Sequence, residues 1–192
     1  MAIYRSQSPD VMANAIRWMH VPIACMALAI VYVLHKWFGY GDLRIAMAAI
    51  GLRLLALALN FTTGENLNFL SVDGVARSEW WGAAISHPVG IVNPWVVVAQ
   101  AGNVILLLYI GQTLWCAFRE SGPVRNAALI VCGSWFLLIL VMVLTGAMMA
   151  LGLPRLPLVA APGFVLVVVA TSYQLVSELL DSHRLALRLQ DS

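Results

Sequence analysis

The residue whose type and position most suggest chemistry is Arg53, which lies inside the apolar run of residues 43–61. A charged side chain at such a depth in a bilayer costs at least about 2.5–3.5 kcal/mol on insertion scales and normally has a partner. The apolar runs of the chain contain no acidic residue, so the expected partners are neutral. The predicted ligand-binding set is Arg53, Asn60, Gln100, Asn103 and Gln112.

Two interpretations of Arg53 stay open from the sequence. In the first, its guanidinium receives an anionic or carbonyl-bearing ligand, such as a lipid acid, a quinone or an acidic signal. In the second, its guanidinium donates hydrogen bonds to backbone carbonyl groups and reaches towards the membrane surface at the end of its apolar stem. Both interpretations require the residue to lie within a membrane-spanning helix.

The histidines raise the question of a metal or haem. His20 lies near one end of an apolar run and His87 lies in the longest polar segment, which also contains carboxylates. Imidazole and carboxylate groups suit zinc or copper, but no pair here has the short spacing of a metal motif. His20 and His35 would lie about 22 Å apart along one helix, too far to share an ion. We therefore predict no metal and no cofactor, with His20 and His87 as weak candidates only.

No catalytic motif is present in the sequence. The nucleophile elbow GxSxG, a glycine-rich phosphate loop and the HExxH zinc motif are all absent. His183, near the end of the chain, is interpreted as a solvent-facing helical residue. The sequence predicts no catalytic residue.

The elements that must position these side chains follow from composition. The chain has 192 residues, of which 61% are hydrophobic and 10% are charged. Soluble domains have roughly 45–50% apolar and 25% charged residues, so a soluble globular protein is excluded. A net charge of +2 argues against nucleic-acid binding, and three scattered cysteines are too few for a disulfide framework. The composition is that of a small integral membrane protein.

Apolar runs of about 20 residues predict five membrane-spanning helices. They cover about residues 16–38, 43–61, 94–118, 127–151 and 158–176. Residues 62–93 are predicted to form a polar outer loop, and Ser8-Pro9-Asp10 predicts a helix start rather than a signal peptide. The predicted fold is therefore all-α, a polytopic membrane helix bundle over residues 1–176.

Residues 177–192 are predicted to continue the last span as a helix outside the bilayer. No glycine or proline occurs between Tyr173 and Gln190. Apolar and small residues there follow a spacing of four and three, which is typical of a coiled-coil seam. An amphipathic helix at the membrane surface would show a similar pattern. The seam residues are Leu175, Leu179, Ser182, Ala186 and Leu189.

The distribution of lysine and arginine predicts the orientation. These residues prefer the cytoplasmic side, and one set of connections holds more of them in fewer residues. We predict an outside N-terminus, an outside 62–93 segment and a cytoplasmic C-terminal helix, in a bacterial inner membrane. The coiled-coil spacing favours a homodimer.

Three stretches near the C-terminus carry a family resemblance. They are Pro162-Gly163-Phe164, Ser172-Tyr173-Gln174-Leu175-Val176-Ser177-Glu178-Leu179-Leu180 and Arg184-Leu185-Ala186-Leu187-Arg188-Leu189. Together they resemble the last span and signal helix in the N-terminal membrane sensory region of proteobacterial PAS-containing sensor histidine kinases. The resemblance is specific over about the last thirty residues. It implies a signal-input module of a two-component system, which relays a ligand or membrane signal through the last helix. The implied partners are PAS and kinase modules, in the same polypeptide or in a separate protein.

Two alternatives remain open at this stage. The chain would also suit a small membrane subunit that binds haem or quinone for electron transfer, with His20, His87 or Arg53 as the holding residues. It would also suit a membrane anchor or assembly protein. The charged helix predicted beyond the last span favours the sensory module, because neither alternative requires it.

Overall fold

A computed structural model describes residues 8–80, 83–120, 123–150 and 160–190. This part of the chain is mostly helical and contains five helices and one pair of β-strands. The elements are α1 (Pro9–Phe38), α2 (Leu43–Thr62), β1 (Phe69–Trp80), β2 (Ala83–Val92), α3 (Val96–Phe118), α4 (Pro123–Ala150) and α5 (Ala160–Gln190).

Four of the described helices are long and apolar enough to cross a membrane. They are α1, α2, α3 and the Arg125–Met148 part of α4. They coincide with the first four predicted spans, whose helical nature is thereby confirmed. The fifth predicted span, 158–176, begins outside the described residues, and the apolar part of α5 is the shorter segment Val167–Ser177. A fifth crossing therefore stays a prediction.

The helices and strands divide into two compact units. The first contains the described residues up to Val33 together with Leu43–Leu106. It therefore holds most of α1, all of α2, both strands and the beginning of α3. The second contains Leu34–Asp42 and the described residues from Leu107 onwards, including α4 and α5.

Alanines make up most of the buried face of α2 in the first unit. On α2 the buried residues recur every three or four positions, so that they form one stripe along the helix. A face of small side chains lets helices approach closely, which is how helices pack within lipid. The stripe therefore holds two polar side chains, those of Arg53 and Asn60, among alanines. Its members are Ala46, Ala49, Arg53, Ala56 and Asn60.

The segment predicted to be an outer loop contains an antiparallel β-hairpin, so the all-α prediction was wrong at this point. β1 pairs with β2 in a register that sets Ala76 opposite His87 and Arg77 opposite Ser86. The register shifts between Phe69 and Ser71 and again between Val72 and Gly74. Such bulges break the alternation of apolar and polar residues that marks a strand in a sequence.

The first two turns of α1 extend beyond the predicted first span. The amide of Met12 donates to the carbonyl of Ser8 over 3.2 Å, which confirms the predicted helix start. Ala13 packs in a buried cluster with Phe69 and Val72 of the hairpin. The prediction placed the span from about residue 16 because the earlier residues are more polar. The structure shows that these turns support the hairpin.

In the second unit, a backbone conformation and a hydrogen bond fix the connection between α1 and α2. Gly39 has a φ of 69°, in the left-handed region that favours glycine. The amide of Asp42 donates to Oε1 of Gln112 on α3 over 3.0 Å. Further along the chain α5 packs against α4, and the Val167 side chain of α5 is buried.

Candidate functional site

Three asparagines in the first unit are completely buried: Asn60, Asn66 and Asn93. We call them the asparagine cluster. Asn60 lies near the end of α2, Asn66 lies just before β1, and Asn93 follows β2. A buried amide is costly unless its donors and acceptors are satisfied, so their partners define what they do.

Asn66 shapes the entry to the hairpin. Its Oδ1 accepts hydrogen bonds from the amides of Asn68 (2.9 Å) and Phe69 (3.0 Å). Its Nδ2 donates to the carbonyl of Ala13 on α1 over 3.3 Å. One side chain thus fixes the turn before β1 and joins it to α1.

Asn60 joins α2 to α1 and to the same turn. Its Nδ2 donates to the carbonyl of Arg17 over 2.9 Å, and its Oδ1 accepts from the amide of Leu67 over 2.9 Å. The Nη2 of Arg17 donates to the carbonyl of Gly64 over 2.8 Å. Gly64 has a φ of 63°, a conformation that a side chain would strain.

Asn93 closes the hairpin and begins α3. Its Nδ2 donates to the carbonyl (3.1 Å) and hydroxyl (3.1 Å) oxygens of Thr63 and to the carbonyl of Asn66 (3.0 Å). Its Oδ1 accepts from the amide of Trp95 over 3.1 Å. The cluster therefore anchors the hairpin to α1, α2 and α3, a structural role that positions the hairpin.

Arg53 and Asn103 are the predicted site residues that the structure brings together. The Nη2 of Arg53 donates to Oδ1 of Asn103 over 3.1 Å, and both side chains are buried. Arg53 follows the first residue of α2 by ten residues, or about 15 Å along the helix. In a 20-residue helix this is close to the middle, where a guanidinium is most expensive.

The other predicted partners have different roles. Asn60 is occupied by the contacts with Arg17 and Leu67, and Gln112 belongs to the second unit, where it accepts from Asp42. Oε1 of Gln100 is buried without a hydrogen-bond partner in the described part of the chain. The structure therefore reduces the predicted set to one direct pair.

A small cavity adjoins the Arg53–Asn103 pair inside the first unit. It has room for about one water molecule. Its polar lining consists of the pair itself, and the remaining walls are apolar. The lining residues are Ala27, Val31, Ala49, Ile50, Arg53, Gly102, Asn103 and Leu106.

The two weak metal candidates occupy different environments. His20 is buried on α1, lies within electrostatic range of Arg53, and its Nε2 has no hydrogen-bond partner among the described residues. His87 is half-buried on β2 opposite Ala76. Within the described ranges, no three histidine, cysteine or carboxylate side chains are grouped so that they could hold a metal ion.

Sequence reasoning missed Asn66, Asn93 and Arg17. Asn93 directly precedes Pro94, a dipeptide that favours a turn, and Asn66 follows Gly64 closely, so local turn signals were present. Neither signal indicates that the Asn93 side chain donates to the backbone carbonyl of Asn66. Arg17 lies next to the predicted membrane boundary and resembles an ordinary interfacial charge.

Comparisons of this chain with protein families, with curated proteins and with solved structures find no match. The fold and the contacts described above are therefore the basis for a functional proposal. Within the described residues, they define four helices able to cross a membrane, an anchored hairpin, and a buried arginine beside a cavity.

Proposed function

We propose that the chain is a membrane signal-input module that passes a signal through α5 to a cytoplasmic output, as the sensory part of a two-component histidine kinase does. The observation that carries this proposal is the length and continuity of α5. It runs without interruption from Ala160 to Gln190, through the apolar segment Val167–Ser177 and into a charged sequence.

The dimensions of α5 support a relay. Its 31 residues extend about 46 Å, whereas the hydrocarbon core of a bilayer is about 30 Å thick. The residues after Ser177 include two acidic and two arginine side chains within the helix. An uninterrupted helix transmits rotation and translation, which a flexible tether does not.

The seam of α5 gives the relay its mechanism. Leu175 and Leu179 are exposed on the helix, and the side chains of Ser182, Ala186 and Leu189 lie outside the described residues. In a homodimer, two copies of this seam would pack in one of two arrangements. A signal that favours one arrangement would change the orientation of the attached output.

Insertions in α5 test the relay. We expect one to seven alanines, inserted after Leu180 in a fusion to a cytoplasmic histidine kinase region, to make autophosphorylation oscillate. Two alanines turn the distal helix by about 200° and should inactivate or lock the output. Four turn it by about 400°, nearly one full turn, and should restore much of the regulation.

The insertion with four alanines is the matched control for the one with two, because it is longer but nearly in phase. Immunoblots of isolated membranes check that all variants insert equally. A loss of output that increases steadily with insert length would contradict the relay. It would favour a membrane anchor with an interfacial tail.

The proposed orientation makes a separate prediction. In a background without Cys25, Cys116 and Cys132, Asp73→Cys in the hairpin should react with an impermeant maleimide in intact cells. Glu120→Cys, which also replaces an exposed carboxylate but follows α3, should react only after the membrane is permeabilised. The opposite pattern of labelling would place the hairpin and the C-terminal helix on the reverse sides.

A further inference from the structure

The buried charge of Arg53 is only partly satisfied by its described contacts. A guanidinium carries five N–H donors, and the described hydrogen bonds of Arg53 consist of the one to Asn103. Asn103 is neutral, so it satisfies a donor without balancing the charge. Neither α2 nor α3 contains an acidic residue along its length. In the described part of the chain, the positive charge therefore has no carboxylate partner.

The cavity provides space for an occupant beside this charge. Arg53 and Asn103 are its polar residues, and Ala27, Ala49 and Gly102 leave space where larger side chains would fill it. α3 also approaches α2 closely here, since a Cβ at Gly102 would lie 3.4 Å from that of Leu52. The cavity therefore has a polar end within apolar walls.

The charge and shape of the site indicate the chemistry of the ligand. One guanidinium balances one negative charge, which favours a monoanion over a dianionic phosphate ester. The planar fork of donors matches the two oxygens of a carboxylate. Room for about one water molecule is sufficient for part of a carboxylate group and not for a larger head.

We propose that Arg53 and Asn103 bind the carboxylate of a monoanionic acid, with one carboxylate oxygen in the cavity and any alkyl chain outside it. This inference rests on the proposed function, in which the bound acid would be the input signal. A membrane-dissolved fatty acid and a small free carboxylate share this chemistry. Probes of different chain length distinguish the two sources.

The full chain in phosphatidylcholine nanodiscs provides the assay, with the Tm of unfolding measured against ligand concentration. We expect decanoate to raise the Tm saturably, because a ligand that binds the folded state stabilises it. Decan-1-ol, which has the same chain without the charge, should not. If acetate raises the Tm at concentrations similar to those of decanoate, the natural ligand is a small free carboxylate. If decanoate raises the Tm and acetate does not, the natural ligand is a membrane-dissolved fatty acid.

Arg53→Leu should weaken the binding of decanoate by about tenfold or more, the usual effect of losing a charged hydrogen-bond partner. Arg125→Leu is the matched control, because Arg125 is an exposed arginine at the start of α4 and its loss should leave binding unchanged. If Arg53→Leu does not fold, Arg53→Lys and Ala49→Val serve instead. The first keeps the charge without the fork, the second fills the cavity, and both should weaken binding.

Three outcomes would overturn the carboxylate site. They are an equal Tm shift in wild type and in the Arg53 and Ala49 variants, no shift with any carboxylate, and tighter binding of decyl phosphate than of decanoate. The insertion series in α5 is independent of these results. A periodic response there, with no carboxylate binding here, would keep the relay and remove its proposed ligand.

Discussion

Asn93→Ala is expected to release the β-hairpin from the helices that hold it. The substitution removes three contacts of Nδ2 and one of Oδ1, including those with Thr63 and Asn66. Each hydrogen bond contributes about 1 kcal/mol, and each buried group left without a partner costs a further 1–3 kcal/mol or so. We expect the free energy of unfolding of this region to fall by about 3–4 kcal/mol.

Hydrogen–deuterium exchange of the purified protein checks this expectation, because it reports local opening. Peptides covering residues 63–80 should exchange much faster in Asn93→Ala, while peptides from α4 should not change. Asn68→Ala is the matched control. Asn68 lies in the turn before β1, next to the residues that Asn93 contacts. No described hydrogen bond involves the Asn68 side chain, so a change in the free energy of unfolding within about 0.5 kcal/mol is expected. Equal exchange in the two variants would show that the cluster does not hold the hairpin.

The helices were the most predictable part of this fold. α2 was predicted over 43–61 and is found over Leu43–Thr62, and α3 was predicted over 94–118 and is found over Val96–Phe118. An apolar run that must satisfy every backbone group within itself has few alternatives to a helix. The glycines in the connection at 39–41 then mark the end of α1 and the start of α2, and the proline at 94 marks the start of α3.

The hairpin was less predictable because its order comes from contacts between distant residues. Its bulges interrupt the two-residue period, and its polar composition resembles that of a loop. What gives it a defined structure is the asparagine cluster, which joins residues from Ala13 to Asn93. Sequence spacing does not reveal such pairings.

The Arg53 site was less predictable than the helices and more predictable than the hairpin. Arg53 is conspicuous as the charge within an apolar run, and Asn103 was among its predicted partners. The choice among the partners depends on how helices pack in three dimensions. Asn60 lies on the same stripe of α2 as Arg53, yet it is oriented by the carbonyl of Arg17 on α1. The residue type could therefore be predicted, but not the pairing.

Gly41→Ala is expected to destabilise the second unit strongly, because its new methyl group has no space. Gly41 is buried, and a Cβ built there overlaps the ring of Tyr109 and lies 2.8 Å from Oγ1 of Thr113. Both neighbours are completely buried, and the Thr113 hydroxyl is held by a 3.0 Å hydrogen bond to the Tyr109 carbonyl. Overpacking of this kind costs about 1–3 kcal/mol, and the upper end is expected where neither neighbour can move.

A comparison of thermal unfolding in detergent among three variants tests this steric origin. Gly133→Ala, in the same unit, is the matched control because nothing lies within 4 Å of its Cβ, and it should cause no loss of stability. Tyr109→Leu alone should be destabilising, since it removes a buried ring. Combined with Gly41→Ala it should cost less than the sum of the two changes, because the methyl group can then occupy the space left by the ring. Strict additivity, or a Gly41→Ala protein as stable as Gly133→Ala, would mean that the connection between α1 and α2 does not pack against Tyr109 as described.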